Sequence, residues 1–184
     1  YANRCITKKS LGDTNGAIAD CDKAIEIYPQ NANAYTNRGN AKGDLGDEQG
    51  AISDYIRAIK INPNLSQPYM MLGMYKLQAK RYKESIDFFD RAIKLDPKNL
   101  FVFNGRAWAR YKLKDHQGAL LDANKALEIN PDDFASLDTR GLTKYALGKL
   151  QSGCKDLRMA VSLGAQPTKD YLDSEEGAWC RNMR

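Results

Sequence analysis

The sequence is poor in the residues that most catalytic and metal sites require. It contains one histidine, His116, which leaves little material for a relay built on imidazole groups. Its four cysteines show no CxxC spacing, so we expect no metal site. The glycines fall in predicted turns and do not form a phosphate-binding loop. We therefore expect no cofactor and no enzymatic activity, and we place His116 in a solvated turn.

Long apolar runs and blocks of like charge are also absent. The chain has no stretch of about eighteen apolar residues, the length that a membrane-spanning helix needs. The net charge of +5 is spread along the sequence, which is weak support for nucleic-acid binding. The segment Tyr1–Arg4 has the pattern of a helix interior and not of a signal peptide. We expect further chain before it, including any targeting segment.

An unbroken internal repeat is the main feature of the sequence. Five alanines, each followed by an apolar residue, recur every 34 residues, and four of them are followed five residues later by proline. The alanines are Ala24, Ala58, Ala92, Ala126 and Ala160, and the prolines are Pro29, Pro63, Pro97 and Pro131. A period of this length predicts a solenoid of stacked helical units.

Each repeat has the pattern of two antiparallel helices joined by a turn. With the recurring alanine numbered as repeat position 27, position 4 is large and positions 8 and 20 are small, which lets two helices approach closely. The large residues are Tyr1, Tyr35, Tyr69, Phe103 and Leu137. Gly12, Gly46 and Gly148 stand where the first helix of a repeat is expected to end. Proline at position 32 ends the second helix.

This pattern resembles the tetratricopeptide repeat, in its length and in the residues at positions 4, 8, 20, 27 and 32. The segments Asn37-Arg38-Gly39 and Gly50-Ala51-Ile52 are similar to repeats common in prokaryotes, cyanobacteria among them. The resemblance implies an all-α fold, a right-handed α-solenoid with repeats at 1–31, 32–65, 66–99, 100–133 and 134–167. We expect residues 168–184 to form a C-terminal capping helix with Thr168 as its N-cap.

Arginine and aspartate change together between repeats. Repeat position 7 is arginine and position 23 is aspartate in four repeats, whereas repeat three has Leu72 and Phe88 at these positions. This joint change predicts an ion pair between the two helices of each of the four repeats, with a structural role. The predicted pairs are Arg4–Asp20, Arg38–Asp54, Arg106–Asp122 and Arg140–Asp156.

The four cysteines allow two interpretations. Antiparallel helix pairing brings Cys5 to the height of Cys21, and Cys154 to the height of Cys180, so each pair is a candidate disulfide. Alternatively, all four are free thiols in small packing positions. Disulfides would favour an exported compartment such as a periplasm or a lumen over the cytoplasm.

The resemblance also implies a concave groove lined by the first helices of the repeats. The residues that it places there are Asn37, Asn40, Met70, Met71, Met74, Phe101, Asn104, Trp108, Tyr111, Leu142 and Tyr145. Methionine adapts to irregular partners and aromatic rings provide anchors, which favours binding of an extended or helical peptide. Met74, Leu142 and Tyr145 have an alternative role in packing between adjacent repeats.

Repeat position 11 is basic throughout, as Lys8, Lys42, Lys76, Arg110 and Lys144. Such a side chain either rests its charge beside the position 23 aspartate or contributes to a basic ladder along the surface.

The predicted function is a non-catalytic scaffold or adaptor that binds a protein or peptide segment in the groove, in the assembly of a multi-subunit complex. A basic ladder that binds nucleic acid is the first alternative, although the charge distribution disfavours it. The second alternative is self-association through the open face of repeat one.

Overall fold

The computed structural model describes residues 1–181 and 183, which fold into twelve helices without any strand. The helices are α1 (Ala2–Ser10), α2 (Thr14–Ile27), α3 (Ala32–Asp44), α4 (Glu48–Ile61), α5 (Ser66–Gln78), α6 (Tyr82–Leu95), α7 (Leu100–Lys112), α8 (His116–Ile129), α9 (Phe134–Ala146), α10 (Leu150–Ser162), α11 (Gln166–Asp173) and α12 (Ala178–Arg181). Within the same residues, no helix has the length and hydrophobicity that crossing a membrane requires.

The chain divides into two compact units, one of residues 1–72 and one from residue 73 onward. In the first unit, α1 packs on α2 and α3 packs on α4, while α1 also lies beside α3. In the second unit, α7 packs on α8 and α9 on α10, and α7 lies beside α9. In each unit the first helices of successive repeats are therefore neighbours, as a helix–turn–helix stack requires.

The turn inside each repeat needs a residue in the left-handed backbone region. Gly12, Gly46 and Gly148 occupy it with φ of +84°, +81° and +75°. Lys80 and Lys114 stand at the same repeat position with φ of +58° and +64°. A Cβ in this region is crowded by the following carbonyl, so the two lysines are held there by the repeat around them.

Aspartate caps start the second helix of three repeats. The carboxylates of Asp13, Asp47 and Asp115 each accept a hydrogen bond from the backbone N–H three residues later, at 2.9 Å. That later residue is Gly16, Gly50 or Gly118, and a Cβ there would collide with the capping carboxylate. The Asp-x-x-Gly pattern thus encodes both the helix start and the space that the cap needs.

Small residues set the closeness of the helices. Ala17, Ala51 and Ala119 are fully buried, each in the second helix of its repeat. In the second unit, an ideal Cβ at Gly73 or Gly105 would lie 2.6 Å from a ring carbon of Phe89. Phe89 on α6 is therefore wedged between two helices that carry no side chain at the contact.

The C-terminal segment differs from the predicted single capping helix. It forms α11 and α12, separated by residues 174–177, where a Cβ on Gly177 would collide with the carbonyl oxygen of Tyr171. Thr168 is not an N-cap: α11 begins earlier, at Gln166, and the buried Thr168 hydroxyl donates to Asp138 at 2.7 Å. Residues 182 and 184 of the predicted cap lie outside the described residues.

Candidate functional site

In four repeats of the described chain, an arginine of the first helix contacts an aspartate of the second through two hydrogen bonds. Arg106 donates from Nε to Asp122 Oδ2 at 2.9 Å and from Nη2 to Oδ1 at 2.6 Å. The same geometry joins Arg4 to Asp20, Arg38 to Asp54 and Arg140 to Asp156. The aspartates are almost fully buried. These bidentate pairs hold the two helices of a repeat together.

The arginines of repeats two, four and five each make a further hydrogen bond to the repeat before them. The sequence reasoning missed these contacts. Nη1 of Arg38 donates to Asp22 at 2.6 Å, Nη1 of Arg106 to Asp90 at 2.5 Å, and Nη1 of Arg140 to Asn124 at 3.2 Å. A signal was present in the sequence, because Ile56 occupies the acceptor position just before repeat three, which lacks the arginine.

The acceptor position changes character in repeat five, where it is Arg158. Its guanidinium donates instead to the backbone carbonyl oxygens of Cys180 at 2.9 Å and Met183 at 2.8 Å. Arg158 therefore binds the C-terminal segment and not a further repeat.

The basic residues at position 11 rest on carboxylates. Lys8, Lys42, Arg110 and Lys144 form ion pairs of 2.7–3.1 Å with the position 23 aspartate of their own repeat. In repeat three, where that aspartate is replaced, Lys76 pairs with Glu84 at 3.0 Å. Because these charges are matched inside the repeats, they form no free basic ladder.

The four cysteines, all within the described residues, form two disulfides. Cys5–Cys21 joins α1 to α2 with a Cα–Cα distance of 5.5 Å, and Cys154–Cys180 joins α10 to α12 at 5.1 Å. The first disulfide lies in a cluster with Ala17 and Ala41. The second fixes the C-terminal segment to repeat five.

The first unit contains a polar pocket of about 320 Å³. Asn3, Asn31, Asn33, Asn37 and Gln67 contribute amide side chains to its wall, and Ile6 contributes apolar surface. Asn40, which the family pattern also places in the groove, instead accepts a hydrogen bond from Tyr55 at 2.8 Å. Met70 and Met71 are half-buried on α5.

The second unit contains an apolar pocket of about 340 Å³, whose wall includes Met74, Leu77, Phe101, Phe134 and Trp108. Phe101 is 64% exposed and Phe134 is 46% exposed, so large apolar surfaces face the opening. Asn104 lies in the wall and accepts a hydrogen bond from Thr139 at 3.2 Å. Three of the predicted groove residues on α7 thus line one pocket, although the sequence had not indicated Phe134.

An aromatic pocket of about 510 Å³ adjoins the apolar pocket and shares Trp108, Asp138 and Pro167 with it. Its wall includes the rings of Trp108, Tyr111, Tyr145 and Tyr171, together with Leu142. Trp108 stacks with Tyr111 at a centroid distance of 5.4 Å. Tyr145 stacks with Trp179 at 4.3 Å, and the Trp179 indole N–H donates to the Tyr171 hydroxyl at 3.1 Å. The C-terminal segment thus completes the pocket.

Asp138 lies where the two pockets meet. Burial raises the pKa of this carboxyl, and the hydrogen bond from Thr168 opposes that shift. Burial likewise raises the pKa of Tyr111, with a further contribution from the neighbouring Tyr171 hydroxyl and Asp138. The site therefore places several aromatic rings beside a half-buried carboxylate.

His116 is not in a solvated turn, as the sequence had suggested. It is the first residue of α8, half-buried, and its ring lies 5.6 Å from that of Tyr111. Its Nδ1 atom is buried and has no hydrogen-bond partner among residues 1–181 and 183. The Asp115 cap directly before it starts the helix at His116, so the residue lies in the helix and not in the turn. Within the described residues, no group of three acidic, histidine or cysteine side chains is placed to hold a metal ion.

Solved structures with the same fold include proteins of several kinds. The crystal structure of MamA matches with a TM-score of 0.74 and 21% identity, covering 89% of this chain and 95% of that chain. PilF from Pseudomonas aeruginosa matches with a TM-score of 0.77 and 18% identity, covering 98% of this chain and 86% of that chain. YrrB, described as a TPR protein with an unusual peptide-binding site, matches with a TM-score of 0.75 and 18% identity, over 100% of this chain and 91% of that chain.

Family profiles agree with the structural likeness. Profiles of the tetratricopeptide repeat match residues 32–65 and 66–99, and a further TPR-repeat profile matches residues 8–46. No curated protein sequence matches this chain. These repeats are associated with protein-interaction scaffolds that are generally non-catalytic. The all-α solenoid fold class expected from the 34-residue period is confirmed, and the chain is a tetratricopeptide-repeat protein.

Proposed function

We propose that this protein is a non-catalytic adaptor that binds an extended or helical peptide segment of a partner, and that this contact brings the partner into a multi-subunit complex. The binding surface is the groove of the second unit, made of the apolar pocket and the aromatic pocket. The observation that carries the proposal is the continuity of these pockets through Trp108, Asp138 and Pro167.

The chemistry of this groove fits a peptide ligand. Phe101, Phe134 and Met74 offer exposed apolar surface in one place, whereas scattered exposed apolar residues would have no such meaning. Tryptophan and tyrosine provide large contact areas with few rotatable bonds, and they dominate the energy of many interfaces. Met74 adapts its shape to a ligand.

Rigidity of the wall supports the same function. The Trp108–Tyr111 stack, the Tyr145–Trp179 stack and the Cys154–Cys180 disulfide hold the side chains of the groove in place before any ligand arrives. A preformed surface loses little conformational entropy on binding. The structural likeness to YrrB, a protein described by its peptide-binding site, agrees with this proposal.

A comparison of three baits tests the proposal. Wild type, the Trp108→Ala/Tyr111→Ala variant and the Leu121→Ala variant are used to capture partners from lysate, which are then identified by mass spectrometry. Leu121 is 67% exposed on α8, outside the residues that line either pocket, so it controls for loss of exposed apolar surface. We expect partners that wild type and Leu121→Ala retain and that the double variant loses. Equal recovery by all three baits would exclude this groove as the binding surface.

Self-association is a second candidate, favoured by exposed apolar residues in repeat one. Tyr1, Leu11, Ile27 and Tyr28 are each more than half exposed. A second copy that covered this surface would raise the mass seen by light scattering as concentration increases. A constant monomer mass over a wide concentration range would exclude it. Nucleic-acid binding has less support, because the position 11 charges are paired with carboxylates.

A further inference from the structure

We infer that the aromatic pocket selects a cationic side chain, lysine or arginine, and that the adjoining apolar pocket takes an apolar residue of the same peptide. This inference rests on the proposed peptide-binding function of the groove and adds the chemistry of its ligand. It follows from the rings, the charges and the position of one internal ammonium group.

The first observation is the arrangement of rings. Trp108, Tyr111, Tyr145 and Tyr171 all contribute to the wall of this pocket. The face of an aromatic ring is the negative side of its quadrupole, so several rings around one space favour a cation there. An apolar ligand would also fit against these rings, and the rings alone do not decide between the two.

The second observation concerns the charges in the wall, which decide in favour of a cation. Asp138 and Glu176 contribute two carboxylates, against one ammonium group from Lys112. Asp138 is half-buried, and one of its oxygens accepts the Thr168 hydrogen bond. Among the described residues Asp138 forms no salt bridge, so this half-buried carboxylate has no ion-pair partner. A ligand cation would supply that charge, whereas a ligand carboxylate would be repelled.

The third observation is that an ammonium group already occupies one ring face. The Lys112 Nζ lies 4.7 Å from the centroid of the Trp108 ring. The indole thus accepts a cation in the absence of a ligand, and Lys112 competes with an incoming lysine or arginine for the same pocket. A groove that selects only apolar residues would show no such competition, so replacing Lys112 tests the inference.

Selection from a random twelve-residue peptide library displayed on phage tests the inference. Immobilised wild type is expected to enrich peptides in which lysine or arginine stands near an apolar residue. The Asp138→Asn variant keeps an acceptor for Thr168, and we expect it to enrich apolar residues without the basic preference. The Asp132→Asn variant removes the same charge at an exposed position and should behave as wild type.

Affinities of one selected peptide then measure the preference. Replacing its basic residue by glutamine should weaken binding to wild type by about tenfold or more, which is the expected value of a charge-assisted contact. The same replacement should have little effect on binding to Asp138→Asn. The Lys112→Gln variant should bind the basic peptide more tightly than wild type does. Circular dichroism of each variant verifies that the fold is retained.

The possible outcomes separate the two proposals. Enrichment of apolar peptides without basic residues, lost in the Trp108→Ala/Tyr111→Ala variant, would overturn the inference and leave the proposed function standing. Enrichment of acidic peptides would also overturn the inference. If the selected peptides bind the Trp108→Ala/Tyr111→Ala variant as well as wild type, the groove does not bind peptides and both proposals fail.

Discussion

At the scale of single residues, each of the four buried aspartates of the second helices pairs with two cationic side chains of its own repeat. Asp122 accepts hydrogen bonds from Arg106 and from Arg110, and Arg106 extends the contact to Asp90 of the preceding repeat. Removing Asp122 alone leaves Arg106 without its main partner in a half-buried position. Replacing Arg106 and Asp122 together removes both buried members, and the charges that remain are Asp90, whose side chain is 43% exposed, and Arg110, which also contacts Asp115.

Asp122→Ala should therefore lower the free energy of unfolding by about 3–5 kcal/mol. The Arg106→Leu/Asp122→Phe variant carries the residues that repeat three has at these positions, and we expect it to be more stable than the single variant. Urea denaturation followed by circular dichroism measures both. A double variant that is less stable than Asp122→Ala would show that the pair is needed for more than charge balance.

Replacing Asp138 should stabilise the free protein at neutral pH, whereas replacing Asp122 should destabilise it. Its pKa in the folded chain is raised by burial, so ionisation costs more in the folded than in the unfolded state, and at neutral pH this cost is fully present. Asp138→Asn is expected to raise the melting temperature of the free protein at pH 7. The gain should disappear as the pH falls below the ordinary range of aspartate, because the carboxyl is then protonated in both states.

Differential scanning fluorimetry of wild type and Asp138→Asn between pH 3 and pH 7 provides this comparison. The charged or titratable groups of the wall, Tyr111, Lys112, Tyr145, Tyr171 and Glu176, remain the same in both proteins. A variant that is less stable than wild type at pH 7 would assign Asp138 a structural role through Thr168 and not a binding role.

At the scale of the helix pair, the turn geometry of two repeats requires a backbone conformation that the residue present there disfavours. Lys80 and Lys114 adopt a left-handed conformation that glycine adopts in three other repeats. A non-glycine residue is disfavoured in this region by about 1–2 kcal/mol, part of which is offset by the greater entropy of glycine in the unfolded chain.

Lys114→Gly should accordingly stabilise the protein by about 0.5–1 kcal/mol. Gly46→Ala is the matched reverse change at the same repeat position, and we expect it to destabilise by a similar amount. Both shifts are measured as changes in the midpoint of urea denaturation. A loss of stability in Lys114→Gly would mean that the contacts of the lysine side chain stabilise the protein by more than its left-handed backbone conformation destabilises it.

Sequence reasoning reached the helix pairs because the local signals recur: the alanine stands in all five repeats, the proline in four and the turn glycine in three. The turn glycines Gly12, Gly46 and Gly148 agree with the spacing of the large and small residues, and this agreement leaves few alternative folds. It failed at the C-terminal segment, which occurs once. Threonine is a residue type that often caps helices, but Thr168 is buried and donates its hydroxyl hydrogen bond to Asp138. Burial depends on the assembled fold, so the local sequence could not show it.

The site was predictable only in part for the same reason. Trp108 and Tyr111 follow from helical spacing on α7, and the structure places them in the wall of one pocket. Tyr171 and Glu176 of the same wall, and Trp179, which stacks on Tyr145, come from the segment after repeat five, so no repeat position could assign them to this site. The hydrogen bond from Thr168 to Asp138 could not be predicted either, because Thr168 also lies after repeat five.

At the scale of the whole molecule, the two disulfides make the stability of the protein depend on whether its surroundings are oxidising or reducing. They join residues 16 and 26 positions apart. Closing loops of this size stabilises a folded chain by about 3 kcal/mol each, a sum comparable to the total stability of many domains. Such bonds persist in oxidising compartments.

A reducing agent should therefore lower the urea midpoint of wild type sharply. The variant in which Cys5, Cys21, Cys154 and Cys180 are all replaced by alanine should already unfold at that lower midpoint and should not respond to reductant. Mass spectrometry after thiol alkylation verifies the oxidation state. An unchanged midpoint for reduced wild type would show that helix packing alone stabilises the chain.

Arg158 has a consequence for the length of the array. Repeats one, three and four offer an acceptor, Asp22, Asp90 or Asn124, to the arginine of the repeat that follows. At the same position repeat five presents a guanidinium, which is occupied by carbonyl groups of its own C-terminal segment. Another unit of the same pattern, from this chain or from a second molecule, would place arginine against arginine. We therefore expect this single change of charge to disfavour the stacking of a further unit of the same pattern on repeat five.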